Sequence, residues 1–348
     1  MNFASDNASG VHPAVMEALA AANEGHVLGY GRDALTEAAE DRVREVLDAP
    51  EAAVMFVSTG TSANAIALAA AVQPWHRVFC HEDAHIEGSE CGAPEFFTGG
   101  AKLTLMPGEG GLIDADALEH AAGFWAGEGL GGGQPGAVSI TNATESGRIW
   151  MPEAIREISA VAKQHELVLH MDGARFANAV VASRSSAADV THLAGVDILS
   201  FGGTKNGAMG AEAIVAFDPA LADRLAYLRK RGGHLLSKHR YLAAQFYALL
   251  NGDLWLELAA HANDCAAHLA QRLTAEVEGA RLAHPADSNQ VFAILPADAD
   301  DRARAAGAQY YKWPSQGEDS GEQVTVRFVC SWNTTGDDID GLIAALRG

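Results

Sequence analysis

The residues that could do chemistry in this sequence follow short apolar segments. Lys205 lies in the glycine-rich stretch "SFGGTKNGAMGAE", residues 200–212, directly after a run that reads as a buried strand. A solvent-exposed position is the ordinary expectation for any lysine. The glycines favour a functional role instead, because they let the backbone approach a bound group closely. Lys205 is therefore a candidate functional residue.

A carboxylate follows the preceding apolar segment in the same way. Asp172 begins "DGAR" immediately after residues 167–171, and an acid at the end of an apolar strand must be paired. Its partner is Arg175 or a neighbouring helix N-terminus, or else a cationic atom of a ligand. Asp172 and Lys205 are separated by about one strand–helix–strand unit, so their side chains are expected at neighbouring strand ends.

An anion site is predicted at "STGTSAN", residues 58–64, which opens an alanine-rich helix. Unpaired N–H groups and the helix dipole face a ligand at a helix N-terminus, which suits Gly60, Thr61 and Ser62 for binding a phosphate. The alternative is an ordinary N-cap by Thr61 or Ser62, with no ligand.

The segment "HEDAH" matches the zinc-hydrolase pattern H-E-x-x-H at His81 and His85. The pattern requires both histidines on one face of a helix. A strand is predicted almost to His81 and Gly88 follows soon after, so such a helix is not expected. A zinc hydrolase stays as the alternative from a different class, and His85 is available as an aromatic ring.

These segments together supply an anion cradle, an aromatic ring, a carboxylate and a lysine at one edge of one sheet. Pyridoxal phosphate requires that set, since its phosphate needs the cradle, its aldehyde a lysine and its ring nitrogen a carboxylate that keeps it protonated. The residues therefore predict a pyridoxal phosphate site.

The elements that must position these residues alternate along the chain, which predicts an α/β fold with a mostly parallel central sheet and helices on both faces. Continuous apolar runs predict buried strands at residues 53–57, 77–80, 137–140, 167–171 and 198–201. Helical patterns separate them at residues 62–72, 114–122 and 152–164, and the glycine-rich residues 123–136 are predicted to form a loop. Ligands bind such a sheet beyond the carboxyl ends of its strands.

The pattern changes after residue 217. Helices are predicted at 221–231 and 241–279, strands at 290–295 and 324–329, and a last helix at 337–346. We predict a large cofactor-binding domain over residues 1–240, which includes the N-terminal segment, and a smaller C-terminal α+β domain over residues 241–348.

Composition narrows the functional classes. The net charge of −21 excludes a basic nucleic-acid footprint and disfavours an anionic membrane surface. The four cysteines are widely spaced and form no C-x-x-C pair, which favours a reducing cytoplasm over a disulfide framework or a zinc ribbon. We expect a cytoplasmic protein without a signal peptide, a membrane span or a nucleic-acid partner.

At this point the sequence resembles the fold-type-I pyridoxal phosphate enzymes and, more closely, the L-threonine aldolase and phenylserine aldolase family of β-eliminating lyases. The similarity runs from Ser5 to Trp332. The motifs that carry it are "ASDN", "NEGHVLGYG", "STGTSAN", "AHIEGSECGAPEFF", "LHMDGARFANA", "FGGTKNG" and "RFVCSW".

The resemblance implies pyridoxal 5'-phosphate as cofactor and a role for each matching residue. Lys205 would hold the cofactor as a Schiff base, His85 would stack on its ring and Asp172 would pair with its ring nitrogen. The remaining cofactor-binding residues implied are Gly60, Thr61, Ser62, Arg175 and Thr204. The substrate carboxylate would be bound by Arg175 and Arg327, with Ser5 nearby, because an arginine fork matches a carboxylate.

The resemblance also implies a homotetramer, a dimer of dimers with sites at a dimer interface. Tyr30 and the basic run at residues 229–231 would then extend into the active site of a neighbouring subunit. The alternative for the run is a solvated helix face. The implied reaction is retro-aldol cleavage of L-β-hydroxy-α-amino acids, such as L-threonine, L-allo-threonine and L-phenylserine, to glycine and an aldehyde. Another β-eliminating lyase, of the C–S lyase type, is the alternative within the class.

Two departures from the family pattern concern catalysis and specificity. Glu145 stands in "NATESG" where many relatives have a histidine, and Arg32 and Asp33 stand where many have paired acids. The general base that takes the β-hydroxyl proton is accordingly His85, Glu145 or a bound water. A base whose pKa lies near the working pH is preferred, which favours His85 or a Glu145 of raised pKa.

Overall fold

A computed structural model describes residues 1–313 and 321–348, and a seven-stranded sheet forms its centre. The strands are β1 (Ala53–Val57), β2 (His76–His81), β3 (Lys102–Met106), β4 (Gln134–Thr141), β5 (Val168–Gly173), β6 (Ile198–Gly202) and β7 (Glu212–Ala216). Their order is β1-β7-β6-β5-β4-β2-β3. Of the seven described strands only β7 runs in the opposite direction to the others, so the predicted mostly parallel sheet is confirmed.

Helices cover both faces of the sheet. In the first part of the chain they are α1 (Pro13–Ala22), α2 (Ala34–Val46), α3 (Gly60–Ala71), α4 (His85–Gly88), α5 (Ala93–Thr98), α6 (Ala115–Gly127), α7 (Pro152–Gln164), α8 (Phe176–Ser183), α9 (Ala222–Arg231) and α10 (Arg240–Leu250). Successive strand residues point to opposite faces. Phe56 lies in one apolar core with residues of α2, α7 and α10, and Val57 lies in another with residues of α3 and α9. Burial on both faces explains why the strands are continuous apolar runs.

The C-terminal part of the chain forms a second, smaller sheet with its own helices. It contains α11 (Leu254–Glu276), β8 (Arg281–Leu282), β9 (Gln290–Pro296), α12 (Ala297–Ala305), β10 (Tyr311–Lys312), β11 (Gln323–Val329) and α13 (Gly336–Arg347). The strands pair antiparallel in the order β10-β11-β9-β8. Phe3 from the chain's beginning packs in this second core, and its backbone N–H donates to the Gln309 carbonyl at 2.8 Å.

The division between the two apolar cores falls inside α11. Trp255 and Ala259 belong to the core of the large sheet, whereas Ala266 and Leu269 belong to the small one. The domain boundary at residue 240 stays a prediction, and the packing places the change of core later in the chain. No helix among the described residues is both long and apolar enough to cross a membrane.

Several predicted elements differ from those observed. The single helix expected at 241–279 is two helices, because Gly252 and Asp253 adopt positive φ angles of 63° and 61° between α10 and α11. The loop expected at 123–136 is shorter, since α6 continues to Gly127 and β4 begins at Gln134. The strands β3 and β7 were not predicted.

Candidate active site

A cavity of about 680 Å³ opens at the carboxyl ends of β4, β5 and β6, against the N-terminus of α3 and part of the small domain. The predicted site residues that line it are Ser5, Gly60, Thr61, His85, Glu145, Asp172, Arg175, Thr204, Lys205 and Arg327. Ser62 and Tyr30 are not among its lining residues. The structure therefore brings these predicted residues together beyond the carboxyl ends of the strands.

Lys205 lies in a single turn of 3-10 helix that follows β6. Within the described part of the chain its amino group has no hydrogen-bond or ion-pair partner, although it lines the cavity. Burial, followed by the charge of Arg175, lowers the pKa of Lys205 below its usual value. A lysine of lowered pKa that faces a cavity is suited to nucleophilic chemistry.

Glu212, the first residue of β7, fixes the turn that carries Lys205. Its carboxylate accepts hydrogen bonds from the Gly203 backbone N–H at 2.8 Å and from Thr204 Oγ1 at 2.5 Å. Burial raises the pKa of Glu212 to about 7. Glu212 was not predicted as a site residue, because its one signal in the sequence is an acid next to an apolar strand.

Asp172 lies near the end of β5 and is buried. Its carboxylate accepts from the Ala174 backbone N–H at 2.9 Å and from Asn64 Nδ2, on α3, at 2.8 Å. Arg175 is not its partner, so that alternative is wrong. Asn64 was not recognised from sequence, because it stands in an alanine-rich helix with no local sign of a partner on β5.

His85 begins α4 and turns its ring toward the cavity. Its Nδ1 lies 2.8 Å from Oε1 of Glu90, a fully buried carboxylate that also accepts from Asn64 Nδ2 at 2.9 Å. The hydrogen bond to Glu90 raises the pKa of His85. Glu90 and Asn64, both missed from sequence, thus hold His85 and Asp172 in one network.

The zinc alternative does not match this geometry. His81 ends β2 and His85 begins a separate short helix, so the two do not share a helix face. His81 Nδ1 accepts from the Asp83 backbone N–H at 3.0 Å, and Nε2 lies 3.0 Å from the Gly108 carbonyl. Both ring nitrogens of His81 are therefore already occupied by protein groups. In the described residues no group of three or more His, Cys, Asp or Glu side chains is arranged to hold a metal ion.

The N-terminus of α3 has the form of an anion cradle. Thr59 is the N-cap, since its Oγ1 accepts from the Ser62 backbone N–H at 3.1 Å, so capping by Thr61 or Ser62 is wrong. Ser62 Oγ donates back to the Thr59 carbonyl at 2.8 Å. A Cβ on Gly60 would meet no atom within 4 Å, so open space lies directly before this helix end. An anion can approach the first amides of α3 there.

Arg175 is held by an acid that the sequence analysis did not single out. Its Nε and Nη2 donate to the two carboxylate oxygens of Asp6 at 2.7 and 2.9 Å. Burial acts to raise the pKa of Asp6, but the charges of Arg175 and Lys205 outweigh it and hold this pKa below its usual value. The paired Asp6 fixes the plane of the guanidinium at the cavity wall.

Replacing Asp6 with asparagine is expected to lower the free energy of unfolding by about 3–5 kcal/mol at pH 7, because it leaves the nearly buried Arg175 without its counter-charge. The folded-state pKa of Asp6 is lowered, so its stabilisation is complete above the unfolded pKa and is lost only as the pH falls through the folded value. Urea unfolding at pH 7 measures the loss.

Asp287→Asn provides the matched control for that prediction. It removes the Asp287 ion pair with Arg148, whose side chains are 35% and 25% exposed, so about 1 kcal/mol or less is expected. Equal losses from the two variants would mean that Asp6 contributes no more than a surface acid.

Arg327 lies on β11 of the small domain and lines the cavity. Its guanidinium carbon lies 4.5 Å from the centre of the Trp313 ring, and its buried Nε has no hydrogen-bond partner within the described residues. Burial lowers the pKa of Arg327 to about 10. An incompletely paired guanidinium in a cavity favours an anionic ligand.

Glu145 lies in the loop after β4. Its Oε1 accepts from the His85 backbone N–H at 2.8 Å, and its buried Oε2 has no hydrogen-bond partner in the described chain. Burial, followed by the negative charge of Asp172, raises the pKa of Glu145. The small domain braces this loop through Gln290, whose Nε2 donates to the Thr144 carbonyl at 3.1 Å.

Tyr30 and the basic run at 229–231 lie together. The Lys230 ammonium is 4.6 Å from the centre of the Tyr30 ring, and Arg229 Nη1 donates to the Phe56 carbonyl at 3.5 Å. Neither Tyr30 nor the run lines the cavity of its own chain. Their reach into a neighbour's site stays a prediction.

Five lining residues of this cavity carry a buried polar atom without a hydrogen-bond partner in the described structure. They are Asn64 (Oδ1), Glu90 (Oε2), Glu145 (Oε2), Gln290 (Oε1) and Arg327 (Nε). Such atoms are costly to bury unless a ligand or water pairs with them. Together with the open α3 N-terminus, they fit a polar bound group, and the donor set fits pyridoxal phosphate.

Comparison with known proteins gives a consistent result. The family model described as "Beta-eliminating lyase" matches residues 2–298. A low specificity L-threonine aldolase of Pseudomonas aeruginosa is 41% identical over 345 residues, which cover 99% of this chain and 96% of that protein. Another from a Pseudomonas species is 40% identical with the same coverage.

Solved structures agree in fold. A Leishmania major threonine aldolase superposes with a TM-score of 0.92 at 32% identity, covering 99% of this chain and 98% of that one. A Sphingomonas wittichii serine palmitoyltransferase superposes with a TM-score of 0.74 at 16% identity, covering 100% of this chain and 86% of that one. The likeness to the second concerns the fold alone.

Proposed function

The chain belongs to the β-eliminating lyase family, and we propose that it cleaves L-β-hydroxy-α-amino acids between Cα and Cβ to give glycine and an aldehyde. It is a carbon–carbon lyase of fold type I, so the predicted family and fold class are confirmed. The activity is supported by the near-complete coverage of the two Pseudomonas aldolases. The observation that carries the proposal is the convergence of Lys205, Asp172 and His85 on one cavity.

The proposed cofactor is pyridoxal 5'-phosphate. When bound, it supplies an electron-accepting ring that takes up the electrons of the broken Cα–Cβ bond. Lys205 would hold it covalently through the amine that faces the cavity. Asp172, anchored by Asn64, would keep the ring nitrogen protonated, and His85, anchored by Glu90, would pack against the ring.

The phosphate would be held by the first amides of α3, at Gly60 and Thr61. Ser62 supports this contact indirectly, because its hydroxyl and its amide are both used within the Thr59 cap. Thr204 would support the lysine turn through its bond to Glu212.

The substrate carboxylate would be bound by Arg327 and by the part of Arg175 that does not contact Asp6, with Ser5 nearby. Fixing the carboxylate fixes which Cα bond faces the cofactor, and so selects the bond that breaks. A base must also take the β-hydroxyl proton. We propose Glu145 for this role, because its Oε2 is buried, unpaired in the described chain and at the cavity.

A homotetramer is the proposed assembly. Large apolar side chains are exposed on this single chain, among them Val27, Leu28, Phe96 and Tyr227. Exposed large apolar side chains are stabilised when another subunit removes them from water. Tyr30 and the run at 229–231 would then contribute to a neighbour's site.

The purified protein supplied with pyridoxal phosphate is expected to release aldehyde and an equal amount of glycine from L-threonine, L-allo-threonine and L-phenylserine. Coupled reduction of the aldehyde measures the rate, and amino-acid analysis measures glycine. The three substrates also rank the side-chain preference.

The C–S lyase alternative predicts different products. Pyruvate and ammonia from a β-substituted alanine, with no aldehyde from any of the three substrates, would overturn the aldolase proposal. The family assignment and the proposed cofactor would be unaffected by that result.

A further inference from the structure

Glu212 is the buried acid most directly tied to the segment that carries Lys205. Its two carboxylate oxygens accept from the Gly203 backbone N–H and from the Thr204 hydroxyl, which belong to the two residues before the lysine. Thr204 Oγ1 in turn accepts from the Ala211 backbone N–H at 3.2 Å. One side chain therefore ties the lysine turn to the start of β7.

This acid is not needed merely to complete the turn. The turn is already closed by backbone bonds, from Asn206 N–H to the Gly203 carbonyl at 3.0 Å and from Ala208 N–H to the same carbonyl at 3.1 Å. Asn206 also anchors it through Nδ2, which donates to the Trp255 carbonyl at 2.8 Å. A neutral acceptor at position 212 could bind the same donors without the cost of burying a carboxylate.

The charged groups around Lys205 indicate how Glu212 influences the protonation of the lysine amine. Arg175 disfavours a proton on the lysine, whereas Asp6, Asp172 and Glu212 favour one. Asp6 is engaged in a two-point ion pair with Arg175, and Asp172 is engaged by Asn64 and the Ala174 amide. Asp172 and Glu212 are both bonded only by neutral donors in the described chain, and of the two Glu212 is the one that bonds to the lysine turn. Once ionised above its raised pKa of about 7, Glu212 carries a charge that no paired cation cancels.

We propose that Glu212 is the positioning residue of Lys205, which fixes the lysine turn through Gly203 and Thr204 and places a negative charge beside that turn. This inference rests on the proposed function only for its consequence in catalysis. The chemistry of the lysine itself can be measured with no substrate and no cofactor present.

The test is competitive labelling of the full chain, freed of cofactor, with acetic anhydride over a pH series. The acetylated fraction of the Lys205 peptide is read by mass spectrometry, with the exposed Lys102 as internal reference. Glu212→Gln removes the charge at nearly constant volume, so half-maximal labelling of Lys205 is expected to move down by roughly one pH unit while Lys102 is unchanged. An unchanged midpoint would overturn the proposal.

Asn206→Ala is the matched control, because it removes an anchor of the same turn without changing any charge. It is expected to lower stability but to leave the labelling midpoint of Lys205 in place. A shift as large as that of Glu212→Gln would mean that loosening of the turn, and not the charge, is responsible.

Glu212→Asp keeps the test decisive if the glutamine variant does not fold. Aspartate retains the charge with a shorter reach, so the midpoint is expected to stay near that of the unmodified protein. A fall of about one pH unit in this variant would contradict a role for the charge. Aldehyde release by the unmodified protein tests the proposed function separately, and neither result depends on the other.

Discussion

Replacing Lys205 with alanine is expected to abolish aldehyde release from every β-hydroxy amino acid, with kcat reduced at least ~10³-fold. The amine of Lys205 lines the cavity without a partner among the described residues, and its lowered pKa increases the fraction of reactive free amine near neutral pH. Covalent attachment of the cofactor and proton transfer beside it would both be lost. No other lysine lines the cavity in the described residues to take over either role.

Two measurements check the Lys205 prediction independently. Steady-state aldehyde release gives the loss of kcat, and borohydride reduction followed by peptide mass spectrometry locates the covalently held cofactor. Lys102→Ala, at an exposed position of β3, is the control and should retain full activity. Reductive attachment to a lysine other than 205, or a Lys205→Ala protein that still turns over, would refute the assignment.

The buried parallel strands could be predicted from sequence because both of their faces are covered. β5 and β6 read as uninterrupted apolar runs, and the residues after them fall at the cavity. β3 was missed because it is an edge strand that begins with an exposed lysine. β7 was missed because its first residue is Glu212, and a charged start hides a buried strand from a pattern based on hydrophobicity.

The partners of the site residues could not be predicted, since they come from distant parts of the chain. Asp6 is 169 positions from Arg175, and Asn64 is 108 positions from Asp172. Glu90 lies near His85 in sequence, but its carboxylate is fully buried where Asn64 of α3, a residue distant along the chain, donates to it. Residue type, spacing and the family resemblance thus predicted groups that line the cavity, whereas the packing of the folded chain decided what anchors each of them.

The contacts of Glu145 likewise could not be predicted from sequence. From sequence it is an acid at a position where many relatives have a histidine, and its protonation behaviour could not be inferred. In the folded chain one oxygen is tied to the His85 backbone N–H, and the other is buried at the cavity without a partner in the described residues. Burial then raises the pKa toward the range in which a carboxylate can act as a general base near neutral pH.

Replacing Glu145 with glutamine is therefore expected to lower kcat/KM for L-threonine and L-phenylserine by about 10²–10⁴-fold, the usual contribution of a general base. Glutamine can keep the hydrogen bond from the His85 amide through its own Oε1, so the loop should stay in place. What is lost is the ability to take the β-hydroxyl proton. Thermal unfolding should change little, which separates this effect from a loss of structure.

The pH dependence of kcat/KM shows which protonation state of Glu145 is active. Only the ionised carboxylate can accept a proton, so kcat/KM of the unmodified enzyme should fall as the pH drops through the raised pKa of Glu145. For Glu145→Gln, kcat/KM should no longer show this fall at low pH, which is the acidic limb of the pH profile. If Glu145→Gln is slower but keeps the same acidic limb, the limb belongs to another group.

His85 is the competing base, and its environment argues against it. Glu90 raises the pKa of His85 and engages its Nδ1, so at a given pH a smaller fraction of the ring is in the unprotonated form that can act as a base. His85→Phe keeps an aromatic ring against the cofactor but removes both nitrogens. If Glu145 is the base, His85→Phe should lose less of kcat/KM than Glu145→Gln and keep the acidic limb; the reverse order would assign the proton transfer to His85. Turnover unchanged in both variants would leave a bound water as the base, because no protein group tested would then be required.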